Sequence, residues 1–234
     1  VQQAEALVDA ELAFVSRRRE LREIRDDGDG RLVIGGGVTI EELRRSPGFA
    51  SLVPDAREMI ERFASTVVRN RATVAGNLVN ASPIGDVTIL LLALGAQVEL
   101  ASASGGRRTV PLADFYRGYK QLDLARGEVV EAVSVPLPSD GERVSFEKVS
   151  PRRYLDVASV NSAMRARVAD GILGHVTLSV GGVAPVPLLA RKTAACLDGR
   201  AVDAEALHEA AACLDGEIAP IDDVRGSAAY KRLL

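Results

Sequence analysis

The order of apolar and polar positions divides the chain into two unlike halves. Short apolar runs at Arg31–Ile34, Gln97–Ala101 and Arg108–Val110, and the alternation of Val129–Val135, predict strands in the first half, with short extended pieces before them at Leu12–Ser16 and Leu21–Ile24. Asp27-Gly28-Asp29-Gly30 reads as a hairpin turn feeding the Arg31 strand. Thr39-Ile40-Glu41-Glu42 has capping-box form and predicts a helix to about Ser46, and Met59, Ile60 and Phe63 share one face of a helix over Asp55–Ala64. Val87–Leu94 is apolar throughout, the mark of a buried helix, and Gly95 stops it.

Pro136-Leu137-Pro138-Ser139-Asp140-Gly141 breaks this pattern and is the best boundary, giving domains 1–138 and 142–234. Beyond it, Arg143–Val149, Val160–Val168 and Ile172–Val180 alternate, and Ala169-Asp170-Gly171 joins the last two as a hairpin. Val160, Ser162, Met164, Ala166 and Val168 share one face. Helices are expected over Pro187–Leu197, over Asp203–Leu214 with Asp203 as N-cap, and from Gly226 to Leu234. The second half is therefore a three-stranded antiparallel sheet with helices on one face, and the fold class is α+β.

Composition narrows the function. The 234 residues are 47% hydrophobic and 26% charged, with 29 basic and 32 acidic residues and a formal net charge of −3. Scattered basic doublets on an acidic chain do not suit nucleic acid. No stretch reaches the roughly 20 apolar residues of a membrane span. The N-terminus has no secretory pattern and no initiator Met, so it reads as an interior starting point. Cys196 and Cys213, in alanine-rich helical surroundings, are expected as reduced thiols, which points to the cytoplasm. His175 and His208 have no partner at ligand spacing, so no metal site is expected, and no side-chain constellation for catalysis stands out.

One segment asks for a ligand. Residues 69–86, Arg-Asn-Arg-Ala-Thr-Val-Ala-Gly-Asn-Leu-Val-Asn-Ala-Ser-Pro-Ile-Gly-Asp, form a polar, small-residue loop before the most apolar run. Gly76 and Gly85 permit close backbone approach, Thr73, Asn77, Asn80 and Ser82 offer donors and acceptors, and Asp86 sits where an N-cap belongs. A well-capped turn is the competing reading. Gly35-Gly36-Gly37 lacks phosphate-loop spacing and is read as a tight strand-to-helix turn. Arg17–Arg19 is read as a solvated face. Arg152-Arg153-Tyr154 could receive an anion, with plain surface charge as the default. A ligand loop without acid, base or nucleophile suggests that a cofactor does the chemistry.

The 69–86 segment resembles the second FAD-binding loop of the molybdenum hydroxylase flavoproteins, a family that includes the FAD domain of xanthine dehydrogenase. The resemblance extends to Phe63-Ala64, Leu92–Ala96, Pro111–Tyr116, Gly127–Val130, Phe146–Ser150 with Arg152-Arg153, and Asp223–Tyr230. It departs at Ala75, where many members have glycine, and at Leu155, where mammalian-type relatives carry an acidic residue beside the remaining Asp156.

The resemblance implies a vanillyl-alcohol-oxidase (PCMH)-type FAD-binding domain followed by a CO-dehydrogenase-flavoprotein C-terminal domain. It implies that Phe63 packs on the cofactor, and that Thr73, Ala75, Gly76, Asn77, Val79 and Asn80 line the dinucleotide, with Gly85 and Asp86 closing the loop. Val129 and Val130 would contact the flavin, and Lys148 would donate to it from the second domain. It also implies an earlier glycine-rich loop upstream of Val1, so the segment here is expected to be one of two FAD loops. The expected function is electron transfer, most like that of xanthine dehydrogenase, to NAD⁺ or another acceptor. The molybdenum cofactor and [2Fe-2S] clusters would belong to partner subunits. The alternative is a cofactor-free assembly subunit.

Overall fold

The computed structural model describes residues 18–234, and the extended piece expected at Leu12–Ser16 lies outside them. After a 3-10 turn at Arg19–Leu21, β1 (Ile24–Asp26) and β2 (Arg31–Gly35) form the expected hairpin, although the first strand starts only at Ile24. Its turn is tied by the Asp27 carboxylate, which accepts from the backbone N–H groups of Asp29 (2.8 Å) and Arg31 (3.0 Å). With β3 (Gln97–Ser102), β4 (Arg107–Pro111) and β7 (Glu128–Pro136), the hairpin builds an antiparallel sheet in the order β1-β2-β7-β3-β4. Ile34, Val133 and Val98 stand side by side across its three central strands and are fully buried.

The helices of this half are short. The capping box forms as expected, with Thr39 accepting from Glu42 N–H and Glu42 from Thr39 N–H, and starts α1 (Ile40–Arg45). Then come α2 (Pro47–Leu52), α3 (Ala56–Glu61), α4 (Thr66–Arg69) and α5 (Val74–Val79). Of these, α5 falls in the segment read as a loop, and α2 and most of α4 lie where the sequence pattern predicts no element. Each has only four to six residues, too few for periodicity, yet each begins at a capping hydroxyl: Ser46 accepting from Phe49 N–H, Ser65 from Val68 N–H, and Thr73 from Gly76 N–H. The segment read as a ligand loop is thus largely the α5 helix.

α6 (Asp86–Ala93) has all eight residues buried, the condition its uniform apolarity predicts. Gly95 follows with φ +70°, as its stop. After α7 (Leu112–Phe115) and the small hairpin of β5 (Tyr116–Gly118) and β6 (Gln121–Leu122), the chain returns through β7 to the second half.

There β8 (Glu142–Val149), β9 (Val160–Ala169), β10 (Ile172–Gly181) and the two-residue β11 (Leu188–Leu189) form a sheet in the order β11-β10-β9-β8. Asp170 and Gly171 both take positive φ, 51° and 76°, the backbone that a two-residue hairpin turn requires. β11 occupies part of the span predicted as helix, which begins instead at Arg191, because Ala190 N–H still donates to Leu178 O at 2.8 Å. α8 (Arg191–Leu197), α9 (Ala204–Glu217, capped by Asp203) and α10 (Ala228–Leu233) complete the chain.

Both faces of the second sheet are covered. Met164 and Ala166 join a cluster with Leu197 of α8 and Ala210 of α9. The opposite face lies on α6: Ser179 Oγ donates to Ile89 O at 2.7 Å, and Arg165 Nη1 to Leu94 O at 3.1 Å. Cys196 and Cys213 are joined as a disulfide between α8 and α9, which corrects the expectation of reduced thiols. Two cysteines on separate helices carry no spacing signal, so only the packing of α8 against α9 reveals the pair.

Candidate functional site

The site residues converge on the seam where α6 enters between the two halves. Lys148 on β8 and Asn161 on β9 are register partners, so their side chains rise from the same face, toward the start of α6. Lys148 Nζ donates to Asp86 Oδ2 at 2.7 Å and to Arg62 O at 3.3 Å. Asn161 Nδ2 donates to Asp86 Oδ1 at 2.6 Å and to Ile84 O at 3.2 Å. Asp86 does not cap its helix. Gly85 is the N-cap, and the carboxylate turns into the seam. Burial pushes the Asp86 carboxyl above the usual carboxylate range, while the Lys148 ammonium and the Asn161 amide pull it back.

Beside this pair lies the turn from α3 to α4, which carries Phe63. Phe63 is half-buried against the main core, and Ala64 behind it adopts φ +45°. The turn is held from below by Arg69, whose Nη1 donates to Phe63 O (3.0 Å) and Ala64 O (2.9 Å) and whose Nη2 donates to Thr66 Oγ1 (2.9 Å). Arg69 Nε donates to Glu41 Oε2 at 2.9 Å, and Glu41 Oε1 also accepts from Arg44 and Arg45.

This hub predicts acid sensitivity. Hydrogen bonding from Arg44, then from Arg69, holds the Glu41 carboxyl down at about 2 against the cost of burial. The folded value lies below the ordinary 4.5, so the stabilisation is present above that pH and is lost as pH falls from there toward 2. It is worth about 3 kcal/mol at neutral pH. In urea unfolding, the advantage of wild type over Glu41→Gln should be greatest above about pH 5 and shrink toward pH 2.

The third element is the row along α5. Gly76, Val79 and Asn80 are exposed, while Thr73, Ala75 and Asn77 are half-exposed. Asn77 Oδ1 accepts from Thr88 Oγ1 at 2.9 Å, which fixes the amide and leaves its Nδ2 as a free donor. Thr73 accepts from Gly76 N–H and keeps its own O–H to give. Beneath the row, Gly36 N–H donates to Glu131 O (2.7 Å) and Ala75 N–H to Gly36 O (3.1 Å), so the triple glycine is the support of this row. A Cβ at Gly36 would lie 2.3 Å from Val130 O.

The strand residues divide. Val129 is exposed, whereas the Val130 side chain is in the core, as alternation along β7 requires. Arg152 pairs with Asp156 at 3.1 Å and Arg153 stacks over Tyr154, so that cluster is satisfied locally at the surface. Among the described residues, no group of three or more His, Cys, Asp or Glu is arranged to hold a metal ion, and no helix is long and apolar enough to cross a membrane.

The donor set fits a dinucleotide. From Thr73 to Asn80 the polar side chains are hydroxyl and amide, with Val79 exposed among them and no carboxylate. Asp86, after the row, is buried and already paired with Lys148, so its charge does not face the row. Glu41, Arg69 and Asn161 escaped the sequence reading. Glu41 lies inside the capping box but is not its capping glutamate, and Arg69 stands in the quoted segment without a signal of burial.

Two packed α+β halves, with a polar row free of carboxylates beside their seam, make the class of fold and surface that an extended polar ligand such as a dinucleotide suits. Residues 3–138 match the FAD binding domain in molybdopterin dehydrogenase, and residues 145–234 match the CO dehydrogenase flavoprotein C-terminal domain. The carbon monoxide dehydrogenase medium chain of Hydrogenophaga pseudoflava is 32% identical over 98% of this chain and 77% of its own length. A structure of that organism's carbon monoxide dehydrogenase, lacking the Mo-pyranopterin moiety of its cofactor, superposes with a TM-score of 0.86 at 32% identity, over 92% of this chain and 74% of that one. Nicotinate hydroxylase hnxS of Emericella nidulans is 34% identical over 87% of this chain but only 16% of its own length. The chain belongs to the FAD-binding flavoprotein family of the molybdopterin dehydrogenases. It spans only about a sixth of the nicotinate hydroxylase and xanthine dehydrogenase relatives.

Proposed function

We propose that this chain holds FAD with the pyrophosphate along the Thr73–Asn80 row and the ring in the seam beside Phe63, Val129 and Lys148. The observation that carries this reading is the set of free polar side chains at Thr73, Asn77 and Asn80 along one exposed row, with the nearby Asp86 carboxylate buried and paired to Lys148. Short hydroxyl and amide side chains such as those of Thr73, Asn77 and Asn80 can donate to a pyrophosphate without crowding it. Ala75, Val79 and Gly85 contribute by being small or apolar where the dinucleotide passes, and Val130 contributes through its backbone. Lys148, held in place by its ion pair with Asp86, would lie beside the ring as a hydrogen-bond donor. The flavin, when bound, takes up electrons and releases them to an acceptor.

The intact protein would then be the electron-delivering part of a molybdenum hydroxylase, with the molybdenum cofactor and [2Fe-2S] clusters in partner subunits or segments and NAD⁺ or another acceptor at the flavin. Similarity supports a xanthine dehydrogenase-type reading, with identities of 32–34% to plant enzymes, but the carbon monoxide dehydrogenase medium chain reaches the same 32%. The boundary between domains 1–138 and 142–234 is supported by the end of β7 at Pro136 and the start of β8 at Glu142. The cytoplasmic location rested partly on reduced thiols, a support that the Cys196–Cys213 disulfide removes. Purified intact protein should be yellow, release FAD on denaturation, and pass electrons to NAD⁺ once its molybdenum partner is given substrate. Colourless protein that takes up no FAD on titration would overturn this reading.

A further inference from the structure

Behind the seam proposed for the flavin, one buried guanidinium, that of Arg69, holds the turn that carries Phe63. Arg69 is 7% exposed, and its donors go to three carbonyls, of Glu61, Phe63 and Ala64, to the Thr66 hydroxyl and to the Glu41 carboxylate. Two of these carbonyls are consecutive, those of Phe63 and Ala64, and Ala64 holds a left-handed backbone that costs an alanine roughly 1 kcal/mol. The turn therefore needs external fixation, and Arg69 supplies it through a planar fork that a lysine cannot reproduce.

Glu41 fixes Arg69 in turn. It is 3% exposed and sits in the first turn of α1, directly after the glycine turn that supports α5. Ile40 N–H donates to Ala72 O at 2.9 Å, and Thr39 bridges Thr73, so the start of α1 is bound to the beginning of the α5 row. Arg44 extends the hub to Glu61 at the end of α3, with Nη1 to Oε1 at 2.9 Å. Backbone bonds tie the row proposed for the pyrophosphate to the start of α1, and charge-assisted bonds from Glu41 through Arg69 carry on to the aromatic turn proposed for the ring.

We propose that Glu41 and Arg69 are positioning residues for the cofactor: they touch no part of it, but fix the Phe63–Ala64 turn against the start of α5, so that the two ends of FAD meet a preformed surface. This rests on the reading that the flavin ring packs on Phe63. Loss of Arg69 frees the turn, and binding must then order it again, which weakens affinity and loosens the ring against Phe63.

The test is a double-mutant cycle in the intact protein with Arg69→Met, Arg69→Lys, Phe63→Ala and the combinations. It reads FAD dissociation constant, visible circular dichroism of the bound flavin, and melting temperature without FAD. Arg69→Met should weaken FAD about tenfold and change the visible dichroism when Phe63 is present, and add less than about twofold in the Phe63→Ala background. Arg69→Lys, which keeps the charge without the fork, should reproduce most of the loss and serves if the Met variant does not fold. Arg45→Met, which removes a largely exposed partner of the same carboxylate, should leave both flavin readouts unchanged. Equal penalties in both backgrounds, or a lowered melting temperature with unchanged affinity and dichroism, would overturn the proposal. If Phe63→Ala itself leaves the flavin spectrum untouched, the placement of the ring fails first, and the positioning role fails with it.

Discussion

Lys148→Met is expected to destabilise the protein by about 3–5 kcal/mol, because it strands Asp86 as a buried, unpaired carboxylate. The Asp86 side chain is 10% exposed and that of Lys148 is 4% exposed, so water cannot take over the lost partner. Asn161 donates to the other carboxylate oxygen but brings no charge. Lys148 already works against the burial that raises the Asp86 pKa, so its removal raises that pKa further. A carboxyl whose folded pKa is raised favours folding when protonated, so the variant should recover stability as pH falls and lose it as pH rises through that pKa. Adding Asp86→Asn should restore much of the loss at neutral pH. Urea unfolding of the two single variants and the double variant measures this, and strong non-additivity is the expected outcome.

Gly36→Ala is the second large effect, at about 3 kcal/mol or more. The added methyl would meet Val130 O at 2.3 Å and Glu131 O at 3.1 Å, both backbone atoms of β7, a central strand that is paired on both sides. No flexible side chain stands in the way to yield, so the glycine turn must move. Ala75 N–H, bonded to Gly36 O, moves with it and displaces the beginning of α5. Unfolding should report the lost stability, and a parallel FAD titration should report weakened binding beyond the unfolded fraction. Gly28→Ala, in the open β1–β2 turn, has nothing within 4 Å of the new methyl and serves as the contrast. There only the strain of its positive φ remains.

The sequence made the long elements legible. Alternation located the three long strands of the second half, and uniform apolarity located α6, because these signals extend over eight or more residues. The one-turn helices α4 and α5 were hidden for the opposite reason, although their capping residues Ser65 and Thr73 were in plain view. The hairpin at Asp170-Gly171 was readable because its turn chemistry is local.

The face of the second sheet that meets α6 was harder. Its members Lys148, Asn161, Arg165 and Ser179 are polar, and alternation alone assigns polar residues to solvent. They are drawn inward because Asp86 and backbone carbonyls at Ile84, Ile89 and Leu94, before, within and at the end of α6, accept from them. The same applies to Glu41 and Arg69, whose burial depends on each other and on carbonyls displayed by a turn far along the chain. The row of residues along α5 was recognisable by its likeness to a family, while its support by Gly36 and its separation from the Asp86 charge emerged only with the fold.

The most direct measurement is an experimental structure of the intact, FAD-loaded protein. The account predicts the pyrophosphate within hydrogen-bond distance of the Thr73–Asn80 row and the flavin ring packed on Phe63 in the seam next to Lys148. A flavin bound away from that seam, with Phe63 and the α5 row facing solvent, would contradict it.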